Sequence, residues 1–263
     1  MKKLSNIFSV ENKIVVLTGG SGLLGQVFAK ALANMGAKVV VLDIIEKNIE
    51  HKNISFYKVD ITKRVELESI LEKIKQNIGI PNVLINCAAI DFPPNFDKNT
   101  EGLLETDEME KIYDKVMEVN VKGLLLCSQV FGKEMAKNNG GSIINISSIY
   151  GMISPDQRIY PLKKGRKFIK PIAYSVSKSA IFNLTRYMAT YWGEYNVRVN
   201  TITFGGVFNN QDPEFVKNYS NKVPLGRMAN KEEYIGPIIF LASDASSYMT
   251  GANLIVDGGY TAW

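Results

Sequence analysis

Tyr174 and Lys178 stand four residues apart in the run AYSVSKSAIFNLTRYMATYWGEY, and at helical spacing an i, i+4 pair shares one face. Together they have a chemistry that neither has alone. A phenol with a pKa near ~10 is a poor proton carrier at neutral pH, and a neighbouring ammonium stabilises its phenolate. Two further side chains suit that chemistry. Ser148, after the apolar run SIINIS, can hydrogen-bond a substrate oxygen. Asn120, inside the long helical stretch EMEKIYDKVMEVNVKGLLLCSQVFGKEMAK, can hold a helix break and a water through which protons reach solvent. A Tyr-x-x-x-Lys spacing alone is more often a partly solvated helix face, so the reading depends on what surrounds it.

A second group of residues offers a place for a nicotinamide dinucleotide, which would carry the hydride. LTGGSGLLGQVFAKAL follows the first strand-like run and opens a helical one, with Gly20, Gly22 and Gly25 at GxGxxG spacing. Glycines let such a turn adopt positive φ and bring backbone N–H groups to a pyrophosphate at a helix N-terminus. Gly19, Ser21, Gly22, Leu24 and Gly25 are the candidate contacts. Asp43 closes the second run, eighteen residues after Gly25. A carboxylate there accepts hydrogen bonds from both ribose hydroxyls of NAD and repels the 2′-phosphate of NADP, so NAD is favoured, with Lys47 softening the choice. Asp60, followed by Ile61, ends the third run where an adenine could be met, and Asn86 in INCAA, with Ala88, ends the fourth. Asp60 and Asn86 suit caps or turns equally well.

Positioning these residues requires elements, and their order is legible. KIVVLT (13–18), AKVVVLD (37–43), ISFYKV (54–59), NVLINC (82–87), SIINIS (142–147), VRVNTI (197–202) and NLIVD (253–257) are short, β-branched and almost continuously apolar. Strands buried on both faces of a parallel sheet read this way. LLGQVFAKALANMG, VELESILEKIKQNIG and the stretch containing Asn120 lie between them with apolar positions at helical spacing. The alternation predicts an α/β fold: one doubly wound, mostly parallel, seven-stranded sheet of Rossmann type with helices on both faces. A single domain over 1–263 is expected, since no linker, repeat or low-complexity tract divides the chain.

Composition narrows the classes. Hydrophobic residues make up 46% and charged residues 22%, ordinary for a soluble globular protein. The start MKKLSNIFSVENK has no apolar run of signal-peptide length and no segment approaches a membrane span, so no membrane partner and a cytoplasmic location are expected. Cys87 and Cys127 form neither a disulfide framework nor a metal motif. His51, the only histidine, lies in the polar run EKNIEHKN, which leaves zinc-hydrolase and Ser-His-Asp readings without their base and predicts no metal. A net charge of +5 is too dispersed to argue for nucleic acid.

TGGSGLLG, VDIT, NCAA, VNVKG, ISSIYG, YSVSK, VRVNTI and GANLIVDGGY, in that order across essentially the whole chain, resemble the classical short-chain dehydrogenase/reductase family. The resemblance implies a nicotinamide cofactor and an Asn-Ser-Tyr-Lys tetrad at Asn120, Ser148, Tyr174 and Lys178. Ser148 rather than Ser147 matches the second serine of the SSxxG pattern. It also implies cofactor contacts from Tyr174, Lys178, Gly205 and Val207, and a homotetramer or homodimer. Four departures stand out. Leu23 occupies a usual glycine position, NNAG is replaced by Asn86-Cys87-Ala88-Ala89, and Phe204-Gly205 replaces PG with Asn209 where a threonine is expected. The fourth is an insertion over 152–172: Ser148 and Tyr174 are 26 residues apart, about twice the family's separation.

That insertion carries Arg158, Lys163, Lys164, Arg166, Lys167 and Lys170 against the single acid Asp156. Solvated surface is one reading; a lid offering Lys163, Lys164 and Arg166, with Tyr160, to an anionic sugar is the sharper one. The loop over 205–231 adds Asn209 and Arg227, polar groups suited to a polyhydroxylated substrate. At a finer level the chain is similar to bacterial members of the family found with flagellin modification and acylneuraminate (legionaminic acid) biosynthesis, which implies alcohol–ketone interconversion on a sugar phosphate, nucleotide sugar or acidic sugar. A 3-oxoacyl-carrier-protein reductase and a non-catalytic nicotinamide-binding regulator are the competing readings.

Overall fold

The computed structural model describes residues 7–47, 49–93, 95, 100 and 102–263. The seven expected strands form one sheet. They are β1 (Ile14–Thr18), β2 (Lys38–Asp43), β3 (Ile54–Lys58), β4 (Val83–Asn86), β5 (Gly141–Ser148), β6 (Val197–Phe204) and β7 (Asn253–Val256). Their order is β3-β2-β1-β4-β5-β6-β7, and every pairing is parallel. Among the described residues, every crossover except the one from β2 to β3 carries helix: α1 (Leu23–Asn34), α2 (Arg64–Asn77), α3 (Asp107–Met117), α4 (Leu124–Lys137), α5 (Ile172–Trp192), α6 (Pro213–Ser220) and α7 (Ile235–Ala242).

The period-2 alternation of the strands divides the core into two layers. Val16, Val40, Leu42 and Leu84 face α2, α4 and α5, meeting Leu71, Phe131 and Ile181. Val15, Leu17, Val41 and Ile85 face α1 and α7, meeting Phe28, Leu32 and Leu241. Helices therefore cover both faces, which is why the strands carry so few polar residues. The chain runs outward from β1 through β2 to β3, then returns to β4 on the other side of β1. A crevice opens at that reversal, outside the carboxyl ends of the strands, where ligands of open α/β sheets gather.

The stretch over 152–172 is an ordered appendage, not an open loop. It holds a one-turn helix (Gln157–Ile159) and a hairpin in which Leu162 pairs with Lys167 and Lys163 with Arg166. Lys164 and Gly165 both take positive φ in the hairpin's two-residue turn, as the right-handed strand twist favours. Ile159, Tyr160 and Phe168 anchor it in a small aromatic core shared with Phe215 and Tyr219 of α6 and with Tyr260. Among the described residues no helix is long and apolar enough to cross a membrane.

Candidate active site

Two cavities lie end to end along the crevice, about 660 and 330 Å³ in volume, and Leu23, Leu24, Cys87 and Ala89 line both. The larger follows the glycine turn. Gly19 has φ +68°, and a Cβ there would stand 2.6 Å from Ala88 Cα; one on Gly25 would stand 2.3 Å from the Gly19 carbonyl oxygen. Only glycine permits this packing of turn, helix and β4 end. Gly22 is the N-cap of α1, with no side chain bonded over the helix end, so the first-turn N–H groups and the positive end of the dipole face the cavity. Asp43, Asp60 and Ile61 line its far part. A glycine cradle, an uncapped helix N-terminus and a carboxylate at the end of β2 are a donor and acceptor set that fits a dinucleotide.

The expected cofactor residues differ in what they do. Asp43 Oδ2 accepts from the Ser21 N–H at 3.0 Å and its Oδ1 from the Ile45 N–H at 3.0 Å, so this carboxylate braces the glycine turn while facing the cavity. Ser21 turns its hydroxyl to the Ile45 carbonyl at 2.6 Å. Asp60 is opposed by partial burial, but the N–H and hydroxyl of Thr62 and the nearby Lys63 hold it below the ordinary carboxylate range. Asn86 requires a correction. It is buried behind the cavity wall, where its amide donates to Ser128 Oγ at 3.0 Å and Asn145 Oδ1 at 2.8 Å. Asn145 donates on to Thr185, which bonds Thr201, so Asn86 opens a polar chain that ties β4, β5, α5 and β6 together. The pleat at the end of β4 turns this side chain towards α4, not towards the crevice. Ala88, Gly205 and Val207 lie on cavity walls.

The smaller cavity brings together Ser148, Tyr174 and Lys178. Ser148 ends β5, accepts the Tyr150 N–H at 3.2 Å and stands near enough to the Tyr174 phenol to favour its ionisation. Ser147 spends its hydroxyl on the Lys178 carbonyl at 2.9 Å, which leaves Ser148 as the serine beside Tyr174. Lys178 Nζ donates to the Ile146 carbonyl at 2.9 Å and lies 5.8 Å from the centre of the Tyr174 ring. Burial pushes Lys178 down to about 8, with Cys87 and Asp91 acting the other way. Burial also pushes the Tyr174 phenol up, as does Asp91, while the Ser148 hydroxyl draws it down.

Asn120 sits in a one-turn π-bulge, Glu118–Gly123, between α3 and α4. The helix break expected there is thus a widening of the helix, a device common at functional sites. Its Oδ1 accepts the Ile90 N–H at 2.7 Å, and its Nδ2 donates to the Ile90 carbonyl at 3.0 Å and to Ser177 Oγ at 3.0 Å. Asn120 therefore clamps the segment after β4 onto α5 one residue from Lys178.

Of the expected substrate residues, Tyr160 and Asn209 line the smaller cavity; Lys163, Lys164, Arg166 and Arg227 do not. Lys163 Nζ donates to Glu214 at 2.6 Å and lies 3.6 Å from Asp212, at the start of α6. Lys164 lies in the exposed hairpin turn and Arg166 directly follows it. Arg227 makes two bonds to Glu233, 2.6 and 2.7 Å, beside a separate small cavity behind Gly206. The two-residue turn carries Lys164 outward, Asp212 and Glu214 meet Lys163, and Glu233 meets Arg227. Sequence reading missed Asp91 and gave Lys170 no site role. Both line the cavity, with the Lys170 ammonium on the Asp91 carboxylate. The available signal was position: Lys170 is four residues before Tyr174, between Phe168-Ile169 and Pro171.

Residues 21–261 match the sequence model of the family described as Enoyl-(Acyl carrier protein) reductase. An NAD-dependent glycerol dehydrogenase of Listeria innocua is 33% identical over 267 residues, covering 97% of this chain and 96% of its own. A ribulose-forming D-arabinitol 2-dehydrogenase of Candida tropicalis is 31% identical over 287 residues, covering 97% and 95%. The crystal structure of a short-chain dehydrogenase from Leptospira borgpetersenii with bound NAD+ superposes with a TM-score of 0.86 at 35% identity, over 99% of this chain and 98% of the other. With the glycine turn, the Tyr174/Lys178 pair and Ser148 disposed along one sheet edge, the chain belongs to the short-chain dehydrogenase/reductase family of oxidoreductases.

Proposed function

We propose that this protein interconverts a secondary alcohol and a ketone on a polyol or sugar, with NAD as the hydride carrier. The observation that carries the reading is the meeting of Tyr174, Ser148 and Lys178 in a cavity that shares a wall with the dinucleotide-shaped one. When bound, the nicotinamide would accept or supply the hydride. Tyr174 takes the proton from the substrate hydroxyl in oxidation and returns it in reduction. Lys178 stabilises the phenolate that forms, and Ser148 holds the substrate oxygen within reach of the phenol. Asn120 fixes the segment after β4, which forms one side of the substrate cavity.

Tyr150, Tyr160, Asn209 and Gln211 give the smaller cavity hydroxyl and amide groups, and its charged lining among the described residues is Asp91, Lys170 and Lys178. Of its two cations Lys170 is engaged by Asp91 and Lys178 by the Ile146 carbonyl beside Tyr174, so this lining favours a neutral polyhydroxylated substrate over the anionic sugar expected from the loop's charge. Relatives named for glycerol and arabinitol support the same class. The flagellin or surface-glycan setting gains no support from this lining. A homotetramer or homodimer belongs to the same proposal: Tyr187 and Tyr191 stack on the exposed face of α5, a patch that a second copy would cover.

Absorbance at ~340 nm with NAD or NADP tests the reading against glycerol, pentitols, sugar acids, sugar phosphates and a 3-oxoacyl thioester. NADH formation from polyols is the expected result. NADPH-dependent thioester reduction would instead identify a carrier-protein reductase, and tight NAD binding without turnover a regulator.

A further inference from the structure

The insertion brings one cation to the catalytic cavity, and its surroundings are unlike those of the others it carries. Lys170 is 6% exposed. Its ammonium donates to the Asp91 carboxylate and, at 2.7 Å, to the Phe92 carbonyl, and it lies 4.4 Å from the centre of the Tyr174 ring. Burying an ammonium costs several kcal/mol unless it is well paired, and an apolar side chain is often as stable in such a place. Fastening the loop does not require the charge. The backbone of Lys170 is already held by Gln157 through bonds of 2.9 and 3.3 Å, and Thr100 bonds Lys167 and Ile169. What an apolar residue would not supply is a positive charge over the face of a ring that must become a phenolate.

The charges facing Tyr174 come from three elements: Lys178 on its own helix α5, Asp91 in the segment after β4, and Lys170 at the end of the insertion. Tyr160 and the Cys87 thiol are the other titratable neighbours. Lys178 alone would face Asp91 from the opposite sign, and an uncompensated carboxylate this close opposes the phenolate. Building on the dehydrogenase reading, we propose that Lys170 and Asp91 form an opposed positioning pair that governs how readily Tyr174 gives up its proton, with Lys170 favouring the phenolate and Asp91 restraining it. The inserted stretch is then the element that tunes this enzyme's working pH.

The pair makes a signed prediction that a merely structural bridge does not. Removing either half of a strut perturbs the site in the same sense; removing either half of an opposed pair moves the phenol in opposite directions. The test places 3,5-difluorotyrosine at position 174 of the full chain, whose more acidic phenol titrates where the protein stays folded, and follows its fluorine resonance with NAD present. Lys170→Met should raise the titration midpoint by about 1 pH unit, and Asp91→Asn should lower it by a similar amount. Midpoints that do not move, or that move the same way, overturn the proposal. Asp91 is half exposed and its replacement is the milder one, so a downward shift in Asp91→Asn decides the matter if Lys170→Met fails to fold. With the native tyrosine and any alcohol the enzyme oxidises, the acid limb of kcat/KM should follow the same two directions. The readouts separate the two claims: split midpoints without turnover sink the dehydrogenase reading and keep the pair, whereas turnover with unsplit midpoints does the reverse.

Discussion

At the scale of single residues, Lys178 shows what the site costs the fold. Its ammonium is buried and donates to the Ile146 carbonyl, and burial brings it down from 10.5 to about 8. A depressed lysine contributes stability that is complete above the unfolded value near 10.5 and is lost as pH falls through about 8. Across that window the unfolded chain binds the extra proton, so this residue's contribution rises with pH by about 3 kcal/mol. Thermal melts of Lys178→Met should therefore show a protein more stable than the parent at pH 7, by an advantage that shrinks between pH 8 and 10. A gap independent of pH would mean that Lys178 is not held in this strained state. Tyr174→Phe removes the proton carrier while leaving the ring and its packing. It should lower turnover by about 10²–10⁴-fold with NADH binding, followed by fluorescence, unchanged. Loss of binding as well would assign the hydroxyl a structural role.

At the scale of elements, the strands and helices were legible because each carries its own period, and the glycine turn because its spacing sits between a strand and a helix. Tyr174 and Lys178 share a helix, so their meeting follows from local geometry. The pleat puts Asn86 on the same face as Leu84, towards α4, and the partner that occupies it there, Asn145, is remote in sequence. The contact between Asp91 and Lys170 joins residues 79 apart, and no periodicity reports that kind of pairing. The loop's charge was legible as a total and misleading as a location. A two-residue hairpin turns Lys163, Lys164 and Arg166 away from the cavity, and Lys163 meets acids of α6. Replacing Lys163, Lys164, Arg166 and Lys167 with alanine together should thus change KM less than about twofold for neutral polyols and sugar phosphates alike at low salt, the residues being surface charges screened by solvent. A rise confined to anionic substrates would return the hairpin to the role of an anion-binding lid.

At the scale of the whole molecule, the order β3-β2-β1-β4 is what makes a binding crevice out of separate elements. The reversal beside β1 sets the glycine turn, the end of β2 and the segment after β4 around one cavity, and β5 and α5 carry the proton chemistry to its inner end. Because that cavity is assembled from both halves of the sheet, a dinucleotide bound there holds the halves together and stabilises only the folded chain. NAD at a hundredfold over its Kd should raise the melting temperature by about 5–10 °C, since such occupancy contributes about 2.7 kcal/mol. NADP should do much less, because Asp43 lines the cavity and its carboxylate repels a 2′-phosphate. Asp43 also accepts the Ser21 and Ile45 N–H groups, so alanine would loosen the turn as well as remove the charge. Asp43→Asn keeps an acceptor for the turn and is the cleaner variant. It should narrow the gap between the NAD and NADP shifts at equal concentrations, mainly by raising the NADP shift. A gap that stays as wide as in the parent would show that Asp43 braces the turn without reading the ribose, and the preference would then have to come from Lys47 and the rest of the cavity wall.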